Sequence, residues 1–140
     1  MLVELSRFRV KPGKSARVDE WLAMLNERMD EVKQTLVREE MQVEVIFREI
    51  IGDDEFLYWF SIQGAAGEHV RTSPFEVDRL HIAFHEECID HEYGMRDAQP
   101  QVVMIPDAIA AAMGWADPPG DAVPFARREI IHRRPISPVV

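Results

Sequence analysis

The run EFLYWFSI, residues 55–62, constrains the fold more than any other stretch of the chain. Phe56, Tyr58, Phe60 and Ile62 alternate onto one face of a strand, yet Leu57 and Trp59 place large apolar groups on the other. A strand that is apolar on both faces needs cover on both. The preceding run, MQVEVIFREII, sets Val43, Val45 and Phe47 against Gln42, Glu44 and Arg48, the alternation of a half-buried strand. Gly52-Asp53-Asp54 joins the two runs and predicts a hairpin. One layer of helices covers one face of such a hairpin. The second cover is expected to be another sheet, from a second copy of the chain.

The remaining elements follow from periodicity. Leu2–Val10 reads as a strand whose face changes character: Val3 and Leu5 share a side with Arg7 and Arg9. Lys11-Pro12-Gly13 closes it. Val18, Leu22, Leu25, Met29, Val32 and Leu36 then recur at steps of four and three, predicting one long helix over 14–38, widened by Trp21. Ser73-Pro74-Phe75-Glu76 has the form of a capping box and starts a second helix running to about Asp90 or Glu92. Gln99–Ile105 reads as the last strand, and Ala108–Met113 as a short helix after it. The order is βαββαβ. It predicts an α+β, ferredoxin-like fold: a four-stranded antiparallel sheet with two helices on one face. The bare face would hold either Leu57 with Trp59 or the Phe56–Ile62 set, and two such faces packed together make a dimeric α+β barrel.

The domain is expected over residues 1–115. Residues 116–140 hold five of the nine prolines, with Arg127, Arg128, Arg133 and Arg134, and read as an extended arm whose Phe125, Ile130 and Ile131 dock. The net charge of −9 argues against nucleic-acid binding, which depends on phosphate neutralisation by Lys and Arg. No apolar run reaches the ~20 residues that span a bilayer, and the N-terminal strand pattern is not that of a signal peptide. The single cysteine, Cys88, has no intrachain disulfide partner, which points to a reducing, cytoplasmic setting.

The segments VELSRFRVKPGK (3–14), RVDEWL (17–22), FREI with YWFSIQG (47–64), ECIDHEYG (87–94) and VVMIP (102–106) resemble a family of small bacterial proteins catalogued as a domain of unknown function. The resemblance covers about residues 1–115. It implies membership of the dimeric α+β barrel superfamily, alongside antibiotic-biosynthesis monooxygenases, haem-degrading enzymes, muconolactone isomerases and stress-response barrels. It supports the fold and carries over no catalytic residue.

The constellation with possible chemistry lies on the second helix. At 100° per residue from His81, His85 falls at about +40°, Cys88 at about −20° and Glu92 at about +20°. Both histidines therefore sit in the apolar arc beside Val77 and Phe84. Packing against the sheet is the plainest reading. A ligand-orienting or acid–base role is the second, and a metal shared by His81 and His85 with Cys88 or Glu92 the third; no metal and no cofactor is assigned. There is no nucleophile elbow, phosphate loop or dinucleotide fingerprint.

Three functions compete. A small ligand would lie between sheet and helices, lined by Trp59 or Tyr58, anchored by His81 and His85, with Arg7 or Arg9 attracting an anion; a cofactor-independent monooxygenase- or isomerase-like enzyme is a variant of this. The second function is a non-enzymatic protein-interaction dimer, and the third a metal- or haem-binding barrel. Space beside His81 and His85 favours a ligand; side chains filling that space favour the interaction protein. Whether the chain is an enzyme is not decided by its sequence.

Overall fold

A computed structural model describes residues 1–64 and 66–115; the expected docking arm, 116–140, lies outside the described residues. The chain divides into two compact units, Met1–Met104 and Ile105–Val140. Within the first, the strands are β1 (Leu2–Arg9), β2 (Met41–Ile51), β3 (Asp54–Gln63) and β4 (Arg96–Ala98), and the helices α1 (Ser15–Glu27), α2 (Met29–Arg38) and α3 (Glu76–Cys88). A short 3-10 turn spans Val70–Thr72. In the second unit the described residues form one short helix, α4 (Asp107–Ala112).

The sheet is antiparallel in the order β2-β3-β1-β4. Its register settles which side chains share a face. Phe8 lies opposite Leu57, Ser6 opposite Trp59, and Ile46 opposite Trp59 from the other edge. Phe8, Ile46, Leu57 and Trp59 meet the helices. Val18 and Trp21 of α1, Leu57 of β3, and Val10, Cys88 and Ile89 form the buried core, with Phe8, Leu22, Ile46, Trp59 and Phe84 packed round it. Trp21 and Leu57 are both 0% exposed. Burying side chains of this size contributes roughly 1.5–3 kcal/mol each.

The opposite face carries Val43, Val45, Phe47, Phe56, Tyr58, Phe60, Ile62, Val3, Leu5 and Arg7. It is incompletely shielded. Phe47 is 54% and Val45 37% exposed, while Val3, Leu5, Tyr58 and Phe60 are half-buried. Phe56 is buried because the Tyr93 ring and the Arg7 guanidinium lie against it, at 5.8 and 5.3 Å. The two candidate sets for the bare face are thus separated: Leu57 and Trp59 turn to the helices, and Phe56–Ile62 turn away.

Three expectations change. The single helix over 14–38 is broken at Arg28, whose φ of −101° and ψ of 25° lie outside the helical range. The apolar stripe is interrupted at the break, where Met29 is exposed; Val32 and Leu36 beyond it are half-buried, and the buried residue of α2 is Thr35. Arg28 holds the two pieces together, donating its N–H to the Met24 carbonyl (3.1 Å) and accepting from Glu31 and Val32. The fourth strand is not 99–105 but Arg96–Ala98, paired with Leu5–Arg7. Pro100 stands inside the expected run, where it offers no N–H to a ladder, and Val102 and Met104 are left in solvent. The Ser73 capping box is also replaced. Phe75 is the N-cap of α3 and offers no side-chain bond, Ser73 Oγ accepts from the Phe75 N–H, and Glu31 of α2 accepts the Val77 N–H at 3.2 Å. A carboxylate reaching across from α2 therefore caps α3 and ties the helices together.

Candidate functional site

Asp78, His81 and His85 are three and then four residues apart on α3, so one face of the helix carries all three toward the sheet. At the apolar end of this face the space is filled. Trp21 Nε1 donates to His81 Nδ1 at 3.2 Å, which leaves the imidazole proton on Nε2 when the ring is neutral. The His81 ring packs 5.3 Å from Trp21 and 5.4 Å from Trp59; the His85 ring packs 5.4 Å from Phe8 and 6.0 Å from Trp21. Phe84 stacks on Trp21 at 6.3 Å. Burial lowers His81 to about 4, helped by His85, and lowers His85 to about 4, helped by His91. Both rings are neutral at pH 7.

The other end of the layer is acidic. Trp59 Nε1 donates to Glu44 Oε1 at 2.8 Å, turning that carboxylate toward the helices. Asp78 is only 6% exposed, and its Oδ2 is buried without a hydrogen-bond partner among the described residues. Burial raises its carboxyl, against the opposing pull of the Ser73 and Thr35 hydroxyls. Glu44 keeps one side in solvent, yet the protein packed round it raises its carboxyl, and Asp78 adds to the effect. Glu39, the C-cap of α2, is pushed up to about 7, first by burial and then by Asp78 and Glu44. A shallow crevice lined by Thr35, Arg38, Glu39, Glu68, His69 and Ser73 opens beside this group.

The loop after β3 is fixed against the end of α2. Gly64 N–H donates to the Glu40 carbonyl (2.8 Å) and Glu68 N–H to the Arg38 carbonyl (3.0 Å). A Cβ at Gly67 would collide with the Glu39 backbone carbonyl, so the close approach that seats Glu39 requires glycine there. Glu40 ends the helix in the left-handed region, with φ of 52°.

Of the residues singled out from the sequence, Trp59, His81 and His85 come together. Tyr58 and Arg7 do not join them. They lie across from each other on the opposite face of the sheet, because neighbouring residues of one strand alternate sides. Tyr58 donates to Glu49 at 2.7 Å, and Arg7 lies over the Phe56 and Tyr93 rings with its Nε buried and unpartnered. Arg9 is held by Asp90 at 2.7 Å. Cys88 is buried in the core, where burial raises its thiol, and it acts as a small apolar side chain. Glu92 lies beyond the C-cap of α3, in the turn after the helix. Asp78 and Glu39 were missed. The same helical wheel carried the signal for Asp78, which falls roughly 20° from His85 inside the apolar arc. Glu39 had none, since its environment is made by a distant loop.

The structure defines an α+β protein with an open antiparallel sheet, an aromatic–histidine seam under its helices and an acidic group at one end of that seam. Residues 1–111 match a family of unknown function, DUF6176, and the chain belongs to that family. No curated protein and no solved structure matches it.

The raised Glu39 carboxyl makes stability depend on pH. A group protonated more readily in the folded than in the unfolded state stabilises below its unfolded value and loses that contribution as pH rises through its folded value. That window runs from about 4.5 to about 7. Thermal melts of Glu39→Gln and wild type should coincide near pH 4, with the variant several degrees more stable near pH 8. A constant difference across that range would contradict the buried-carboxylate reading.

Proposed function

We propose that the chain works as a homodimer: two ferredoxin-like sheets packed face to face, forming an α+β barrel whose role is to present paired surfaces rather than to turn over a substrate. The single observation that carries this reading is the half-exposed apolar face of β2, β3 and β1, with Phe47 54% exposed in a single copy. The strand order, with β1 and β3 central and the three helices on the other face, supports the ferredoxin-like assignment. The filled layer around His81 and His85 favours an interaction protein over one with a preformed cavity. Three strands of eight to eleven residues, about 4.8 Å apart, give a flat footprint on the order of 15 × 30 Å. That is somewhat over half of the ~800 Å² per partner of a stable interface, and side-chain relief and the flanking residues add to it. Phe47→Asp alters an exposed side chain, so the fold should survive while the dimer does not, since burying an unpaired carboxylate within an interface is costly. Sedimentation equilibrium should report a dimer for wild type and a folded monomer for the variant. A wild-type monomer at tens of micromolar, or a variant that still dimerises with equal affinity, contradicts the proposal.

A second reading is favoured by Asp78 Oδ2, a buried acceptor with no donor, facing Glu39 and Glu44. The crevice beside Glu39 is too shallow to hold a ligand as it stands and Asp78 does not line it, so a small cation supplying that donor requires the crevice to open; Glu39, near 7, has the acidity of a general acid–base group. Calorimetric titration with agmatine tests it. Binding should release protons, because the cation lowers the raised carboxyls, and Asp78→Asn should abolish it. No binding, or binding indifferent to Asp78→Asn, removes this reading and leaves the dimer standing alone.

A further inference from the structure

His85, Glu86 and His91 place one donor atom each within 4.8 Å of one another, at the C-terminal end of α3 and the turn that follows. Three features prepare this group. The His85 ring is wedged edge-on against Phe8 (5.4 Å) and Trp21 (6.0 Å), which fixes the plane of the imidazole. Glu86 has one oxygen engaged by Arg71, with Oε1 3.0 Å from Nη2, and turns the other toward His91, with Oε2 3.3 Å from Nε2.

The turn carrying His91 is pinned to β1. Arg9 Nε and Nη2 both donate to Asp90 Oδ2, at 3.0 and 2.7 Å, and Asp90 Oδ1 accepts the N–H groups of Glu92 and Tyr93. The Asp90 N–H donates to the Arg9 carbonyl at 2.8 Å, and Val10 bridges to Ile89. The His85 and His91 rings are thereby held 5.8 Å apart.

We infer that His85, Glu86 and His91 form a binding site for a divalent first-row transition metal, zinc or a metal of similar preference. Two imidazoles and one carboxylate are the donors such ions take in three-ligand sites that keep a fourth position open. Metal–donor bonds of ~2.0–2.1 Å in a tetrahedron put donors roughly 3.4 Å apart. Glu86 and His91 are exposed, so side-chain rotation about their surface contacts covers the remaining distance, while His85 serves as the fixed member. Arg71 acts as the outer partner that orients the carboxylate, the arrangement that ordinarily tunes a ligating group. His81, the residue first paired with His85, is engaged by the Trp21 indole through Nδ1 and takes no part.

Titration of the full metal-free chain with Co²⁺, followed by d–d absorption, and competition with Zn²⁺ test the site. One equivalent per chain should bind with tetrahedral or five-coordinate cobalt bands, and Zn²⁺ should displace it. His91→Gln and Glu86→Gln, both at exposed positions that leave the core untouched, should each weaken Zn²⁺ binding at least tenfold. Glu92→Gln, a carboxylate outside the trio, should leave it unchanged. Absence of stoichiometric binding, or binding that survives both His91→Gln and Glu86→Gln, overturns the assignment.

Discussion

Everything in the first unit depends on β3 having two apolar faces and on Trp21 choosing one of them. The indole is fully buried against the core that includes Leu57, tilts 5.6 Å from Trp59, and reaches α3 through His81. One side chain therefore joins α1, the sheet and α3. Its N–H needs an acceptor once it leaves water, and His81 supplies it, which accounts for a histidine inside an apolar arc. Burial leaves that imidazole neutral, and the pairing fixes its tautomer.

Commitment of Leu57 and Trp59 to the helices leaves Phe56, Tyr58, Phe60 and Ile62 on the far side. Part of that side is dressed locally, since Arg7, Arg9 and Arg96 gather round the Tyr93 ring at 5.8, 4.8 and 5.3 Å, and Arg7 and Tyr93 shield Phe56. Among the described residues the β2 side has no such dressing, and Phe47 and Val45 are exposed. The polar chemistry follows the same division. Burial leaves neutral histidines at one end of the covered layer and raised carboxyls at the other, while Glu86, in the last turn of α3, stands in solvent.

How much of this the sequence disclosed depends on the range of the interaction concerned. The hairpin was legible because Gly52-Asp53 and the alternation of β2 are local, and Gly52 does take a positive φ of 63°. The inward aim of His81 and His85 was legible from helical period alone. The break at Arg28 was not, because no proline or glycine marks it and the stripe of Val18, Leu22 and Leu25 runs on past it in sequence. The fourth strand was misplaced because VVMI carries more strand character than Arg96-Asp97-Ala98. Pairing with β1 is a tertiary choice, reinforced by the Ser6 hydroxyl donating to Asp97 at 2.6 Å. Tyr58 and Arg7 suit a site with the histidines by their chemistry and are kept from it by the alternation of strand side chains. Parity alone separates Tyr58 from Trp59. Glu39 depends on a distant loop closing against it and the Glu86–His91 contact on the turn that Arg9 pins to β1, and no local pattern announces either.

The central claim is that the face of β3 turned away from Trp21 is covered by the same face of a second chain. Isotope-filtered NMR on a mixture of labelled and unlabelled chains reads that contact directly. The account predicts intermolecular NOEs linking the rings of Phe47, Tyr58 and Phe60 in one chain to the methyl groups of Leu5, Val43 and Val45 in the other. A mixture at millimolar concentration with no intermolecular NOEs, or with NOEs confined to the outer surfaces of α1–α3, would contradict it.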